Sequence, residues 1–134
     1  MNERRPRRIA RWVLVLAYLI AGIAHLRSPR GFIAITPDWV PYPAQVVLLT
    51  GLAELAGAAG LMIPRLRRAA GIGLGLYALC VWPANLNHAL NDIPLSGVHL
   101  GWWYHGPRLA LQPVLIWWAL WAGGVTDWPF ARKR

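Results

Sequence analysis

Four long apolar segments, separated by shorter polar connections, divide the chain. They cover about Ile9 to His25, Ala44 to Ile63, Ala69 to Leu90 and Arg108 to Gly124. Each approaches the roughly 20 residues with which an α-helix spans a hydrocarbon layer of about 30 Å. The segments are continuously apolar, without the alternation typical of half-buried strands. The pattern predicts an all-α polytopic membrane protein, with one domain over residues 1–134 that forms a bundle of four transmembrane helices.

The connection over residues 27–43 is rich in proline and still carries large apolar side chains. Its prolines forbid a continuous helix, because each lacks an N–H group and clashes with the preceding turn. Phe32 and Trp39 suit an element that lies along the surface of the bilayer. We therefore expect a short interfacial element in the first outer loop. The prolines are Pro29, Pro37, Pro41 and Pro43.

The second and third apolar segments are joined by a short basic hairpin. Pro64 ends the second helix, and the sequence RLRR follows it. Ala56 with Gly60, and Gly71 with Gly75, have the small-xxx-small spacing that lets membrane helices approach closely. The sequence predicts that these two helices are antiparallel neighbours.

The positions of the basic residues predict the orientation in the membrane. Cytoplasmic loops of membrane proteins carry an excess of Lys and Arg. Eleven of the 14 basic residues fall on one side of the four predicted spans, which places both termini in the cytoplasm. They are Arg4, Arg5, Arg7, Arg8, Arg11, Arg65, Arg67, Arg68, Arg132, Lys133 and Arg134. The other three are Arg27, Arg30 and Arg108.

The first apolar segment also has the basic start and small-residue end of a signal peptide. A start-anchor helix agrees better with the charge pattern, because cleavage would leave an odd number of spans.

Composition agrees with lipid as the main solvent. Hydrophobic residues make up 57% of the chain and charged residues only 14%, against about a quarter in a typical soluble domain. The net charge of +9 is not arranged as a stripe interleaved with aromatic side chains, so nucleic acid is disfavoured as a partner. The single cysteine, Cys80, excludes an intramolecular disulfide, and we expect it to be a small buried apolar residue.

Five polar residues within or at the ends of the apolar segments form a candidate polar pocket. An ionisable group inside a membrane is costly and needs a partner or a function. Glu54 lies about 15 Å along the second helix, near the middle of the bilayer. Arg108 is a candidate partner for Glu54, although helix rise separates the two. The five are His25, Glu54, Asn85, Arg108 and Gln112.

Two interpretations of these five residues stay open at the level of sequence. They can line an outward-facing pocket with Glu54 at its floor, or they can form a satisfied network that fixes helix packing. Asn87 and His88 approach the surface, where we expect them to be solvated. The histidines do not have the spacing of a metal site, so no metal or haem is expected. No catalytic residue is assigned.

Several segments resemble the DoxX-like family of bacterial integral membrane proteins. The match covers roughly residues 21–120. Leu26 departs from the family, which typically has phenylalanine after the first histidine, and methionine often stands near the position of His88. The matching segments are AGIAHLRSPRGFIAITPDWVP, LTGLAELAGAAGLMIPRLRRAAG, VWPANLNHAL and PRLALQPVLIWWAL.

The resemblance implies a four-helix bundle in the bacterial inner membrane, with the same five polar residues as its motif positions. It also implies a redox-associated membrane subunit that holds a quinone or similar small molecule, with a membrane or periplasmic redox protein as partner. Two alternatives remain: a non-catalytic scaffold or assembly factor for a partner protein, and a binder of a lipid or other hydrophobic small molecule.

Overall fold

The computed structural model describes residues 4–130, and over this range the chain is helical without strands. The all-α prediction is therefore confirmed. Three helices, Arg5–Arg27, Pro43–Met62 and Arg67–Leu90, are long and apolar enough to cross a membrane. The predicted cytoplasmic residues Arg132, Lys133 and Arg134 lie outside the described range. In order, the helices are α1 (Arg5–Arg27), α2 (Pro29–Ile35), α3 (Pro43–Met62), α4 (Arg67–Leu90) and α5 (Trp102–Ala122).

Helix α5 differs most from its prediction. It begins at Trp102, six residues before the predicted start at Arg108, and it is not among the helices apolar enough to count as a span. The early start was missed because its first turns, WWYHGP, are not an apolar run. Pro107 and Pro113 lie inside the helix and Gln112 is buried in it, so polar and proline residues lower its average hydropathy.

The expected element in the first outer loop is a helix of two turns. Helix α2 begins at Pro29, whose fixed φ angle suits the first helical position. It ends at Ile35, shortly before Pro37. The side-chain amide of Asn87 on α4 donates a hydrogen bond of 2.9 Å to the carbonyl of Ile35, which ties α2 to the long helices.

We call one end of the bundle the terminal end. It contains the start of α1, the α3–α4 connection and residues 123–130. Arginines at this end donate hydrogen bonds to carbonyl groups at the C-termini of helices. No N–H group of the same helix is available to bond these carbonyls. Arg11 Nε bonds the Ala122 carbonyl at 3.2 Å and Arg67 Nε bonds the Leu61 carbonyl at 3.1 Å. Two of the arginines that are predicted to be cytoplasmic therefore also bond carbonyl groups at helix C-termini.

A surface ion pair reinforces the terminal end. Arg7 of α1 donates a hydrogen bond to the carboxylate of Asp127, which follows α5. This hydrogen bond and the charge of Arg7 hold the pKa of Asp127 below its ordinary value. The pair therefore persists to lower pH than an unpaired aspartate would stay ionised, and it is lost as the pH falls through that lowered pKa.

The apolar core fills the half of the bundle nearer the terminal end. It combines side chains from α1, α3, α4 and α5, whereas many large apolar side chains on the outer faces are exposed, as on a surface in contact with lipid. The other half of the bundle reaches to α2 and residues 91–101, and we call this end the loop end. The core residues are Leu14, Val15, Tyr18, Ala58, Leu61, Leu74, Ala119 and Ala122.

Close backbone contacts occur at glycines. A Cβ on Gly60 would lie 2.8 Å from the Cβ of Ala70, so α3 and α4 meet there as the small-residue pattern predicts. Gly71 instead faces α5, where a Cβ would lie 2.7 Å from the Ala119 carbonyl oxygen. Helices α1 and α3 cross at Gly51, where a Cβ would lie 2.8 Å from the Cβ of His25.

We predict that Gly51→Ala destabilises the protein in detergent by about 1–3 kcal/mol relative to Gly73→Ala. Both changes improve helix propensity, but only at Gly51 does the new methyl group meet the base of another side chain, because Gly73 has open space around its Cβ position. Thermal unfolding of the two purified variants measures the difference. Equal midpoints would contradict the close α1–α3 crossing.

Candidate functional site

A cavity of about 430 Å³ occupies the half of the bundle towards the loop end. Side chains from α1, α3, α4 and α5 form its wall, and residues of α2 and the following turn, including Phe32 and Trp39, complete the lining. All five residues of the predicted polar pocket line it: His25, Glu54, Asn85, Arg108 and Gln112. The volume lies within the range of small-molecule sites, about 300–1,000 Å³.

Glu54 is the acidic residue of the cavity wall and is only 3% exposed. Tyr77 of α4 donates a hydrogen bond to its Oε1 atom. Nδ1 of His25 on α1 lies 3.0 Å from Oε2. Glu54 therefore connects three of the long helices. The expected partner Arg108 is not in contact with it, because α5 places the guanidinium near the loop end.

His25 lies between two acceptors. Its Nδ1 atom is 2.9 Å from the Ala21 carbonyl oxygen and 3.0 Å from Glu54 Oε2, so the proton belongs on Nδ1. The bond to Ala21 is the aligned one, and Glu54 Oε2 accepts no aligned hydrogen bond from any residue in the range 4–130. The ring of Phe32 stacks on the imidazole, with centroids 3.7 Å apart. Helix α2 thus fixes the orientation of His25.

Asn85 and Gln112 form a second polar group in the wall. Asn85 Nδ2 donates to Gln112 Oε1 at 3.3 Å, and Gln112 Nε2 donates to the Ala78 carbonyl at 2.7 Å. Ala78 lies next to Leu79, whose carbonyl lacks its helical donor because Pro83 has no N–H group. The two amides therefore join α4 to α5 beside this interruption and have a clear packing role.

Arg108 lines the cavity and also belongs to a buried cluster with His88 and His105, which do not line it. Arg108 NH1 donates to His88 Nδ1 at 3.0 Å, and its guanidinium also lies 5.5 Å from the centre of the Tyr104 ring. The expectation that His88 is solvated is wrong, because the extended α5 covers it completely. His105 packs against His88 with ring centroids 4.6 Å apart and is 2% exposed.

Cys80 is exposed, so the expectation of a buried apolar residue is wrong. It lies on α4 one residue from Val81 and lines the cavity with it. A pattern of apolar letters alone does not distinguish the packed face of a helix from a cavity wall.

Three residues near the site were not predicted from the sequence to be pocket residues. Tyr77 and Phe32 lie in apolar surroundings, where an aromatic side chain ordinarily indicates packing. His105 precedes the predicted start of the last helix. The i, i+4 spacing of Arg108 with Gln112 indicated a shared face, but no spacing rule pairs Glu54 with a tyrosine of another helix.

No group of three or more His, Cys, Asp or Glu side chains suited to a metal ion occurs within residues 4–130.

A family model described as "Domain of unknown function (DUF8561)" matches residues 14–123, which is most of the chain. The chain belongs to the DUF8561 family. The DUF8561 match includes every residue that the sequence assigned to the pocket, and it ends one residue after α5. No curated protein and no solved structure matches the chain.

Proposed function

We propose that this chain is an integral membrane subunit that holds a quinone or similar small molecule in the cavity. The observation that carries the proposal is Glu54 Oε2, a buried carboxylate oxygen at the cavity without an aligned donor within residues 4–130. A buried acceptor of this kind is costly unless a donor reaches it. The hydroxyl group of a quinol is such a donor.

The remainder of the wall suits the same class of ligand. A quinone ring is flat and apolar, with an oxygen at each end. Arg108, in the cavity wall, can donate to one oxygen, and Glu54 can accept from the hydroxyl at the other when the ligand is the reduced quinol. The aromatic rings of Phe32 and Tyr18 also line the cavity. In this proposal Glu54 and His25 bind and orient the ligand and hold a proton near it.

The proposal includes four membrane spans, with α5 as the fourth. Helix α5 has 21 residues, which corresponds to about 31 Å at 1.5 Å per residue, and it packs along α4 and α1. Trp102 and Trp103 at its start suit the bilayer interface, where tryptophan is enriched. The described arginines of the terminal end support a cytoplasmic location for that end, in a bacterial inner membrane.

Four spans predict that both ends of the chain are cytoplasmic, and three spans predict that they lie on opposite sides. We expect a fluorescent protein fused to either end to be fluorescent in bacterial cells, and alkaline phosphatase fused to either end to be inactive. Active phosphatase at the C-terminal end alone would contradict the location of α5 in the membrane. A fusion after Ser96, in the loop end, is the matched control and should have active phosphatase.

Cys80 gives a direct test of occupancy, because it is the single cysteine and it lines the cavity. We predict that decylubiquinol, the reduced form that has the required hydroxyl group, slows alkylation of Cys80 by N-ethylmaleimide about tenfold when it is present at about ten times its Kd. The matched control is the double variant Leu79→Cys/Cys80→Ser, whose thiol would lie on an exposed residue outside the cavity. Labelling of the control should not change.

Equal labelling of Cys80 with and without the quinol would contradict the quinone proposal. Protection by a fatty acid or phospholipid and not by the quinol would favour the hydrophobic-molecule binder instead.

A scaffold or assembly factor for a partner protein is the second candidate. Three aromatic side chains at the loop end are about three-quarters exposed: Trp39 at 74%, Tyr42 at 75% and Trp103 at 76%. Exposed aromatic residues of this kind are typical of binding surfaces as well as of bilayer interfaces. The DoxX-like resemblance favours a membrane or periplasmic redox protein as the partner.

A further inference from the structure

Three arginines at the loop end do not belong to the group of basic residues that predicts the orientation in the membrane. Arg27, Arg30 and Arg108 are the basic residues that the positive-inside pattern leaves on the outer side of the predicted membrane. Arg27 and Arg30 are three residues apart, at the end of α1 and in α2, whereas Arg108 is distant in the sequence, in α5. The fold nevertheless brings all three to the wall of one groove between α2 and the turn at Pro94 to Ser96.

No acidic side chain among residues 4–130 lines this groove. Three arginines do. The ion pairs described in the structure involve other residues, and the contacts of Arg108 are with the neutral partners His88 and Tyr104. Guanidinium groups bind phosphate oxygens through paired, charge-assisted hydrogen bonds. Three of them facing one groove suit a phosphate group.

The remainder of the wall is apolar, as the chain of a lipid requires. Phe32, Ile35 and Leu95 line the groove beside the arginines, in a space of about 890 Å³. Phe32, Ile35 and Arg108 also line the neighbouring cavity, so the two spaces share a wall. A free phosphate ion would use the arginines and leave the apolar surface without a role. A membrane lipid would use both.

We propose that this groove is a specific binding site for the phosphate headgroup of an anionic membrane lipid. Arg27 and Arg30 hold the phosphate from α1 and α2, and Arg108 holds it from α5. The first segment of the lipid chain lies on Phe32, Ile35 and Leu95. The groove shares Arg108 and Phe32 with the cavity, but this proposal does not depend on the quinone proposal, because Glu54 does not line the groove and Arg27 and Arg30 do not line the cavity.

Native mass spectrometry of the delipidated full chain tests the proposal. The protein is incubated with equal amounts of phosphatidylglycerol and phosphatidylcholine that have the same acyl chains. Wild type should bind one phosphatidylglycerol at least about tenfold more tightly than phosphatidylcholine, as expected for charge-assisted hydrogen bonds. The variant Arg27→Gln/Arg30→Gln should lose most of this preference. Both side chains are exposed and bond no described residue, so the variant should fold.

The matched control is Arg5→Gln/Arg8→Gln, which removes two exposed arginines with the same spacing from the other end of α1. It should keep the full preference. Equal loss in both variants would overturn the proposal, because bulk charge would then explain the binding. Competition by inorganic phosphate at concentrations equal to the lipid would also overturn it, since the site would then bind a free anion.

Discussion

A carboxylate buried in an apolar helix bundle needs polar groups from neighbouring helices, and for Glu54 these are Tyr77, which donates to Oε1, and His25, which lies beside Oε2 without an aligned hydrogen bond. These contacts fix the relative positions of α1, α3 and α4, because a shift of any one would leave the carboxylate exposed to apolar surroundings alone. The backbone contact at Gly51 permits them, since a larger residue would push His25 away.

The two halves of the bundle have different tasks. The half near the terminal end is packed with leucine, alanine and aromatic side chains, and its arginines close helix ends. The half near the loop end has the cavity, the histidine cluster and the basic groove. Asn85 and Gln112 stand at the boundary and join α4 to α5 beside the interruption at Pro83. The packed half near the terminal end thus supports the other half, in which polar side chains line the cavity and the groove.

Much of this arrangement could be predicted from the sequence, because the cost of polar groups in a membrane singles out Glu54, Asn85 and Gln112 regardless of their partners. The partners could not be predicted. Helix spacing rules relate residues within one helix, whereas the contact of Tyr77 with Glu54 depends on how α3 and α4 rotate against each other. The early start of α5 was missed for a related reason: its first two turns are polar and aromatic, and they are helical because they pack on His88.

The central claim is that Glu54 holds a ligand in addition to joining helices, and native mass spectrometry of protein purified gently from its own membranes tests it most directly. Glu54→Gln keeps the shape of the side chain and removes the carboxylate, and Gln45→Glu, at an exposed position of α3, is a control with a single charge change. We predict an adduct with the mass of a quinone on wild type and on the control, and its loss from Glu54→Gln. An adduct-free mass for all three proteins, or an adduct that Glu54→Gln retains, would contradict the claim and leave Glu54 as a residue of helix packing.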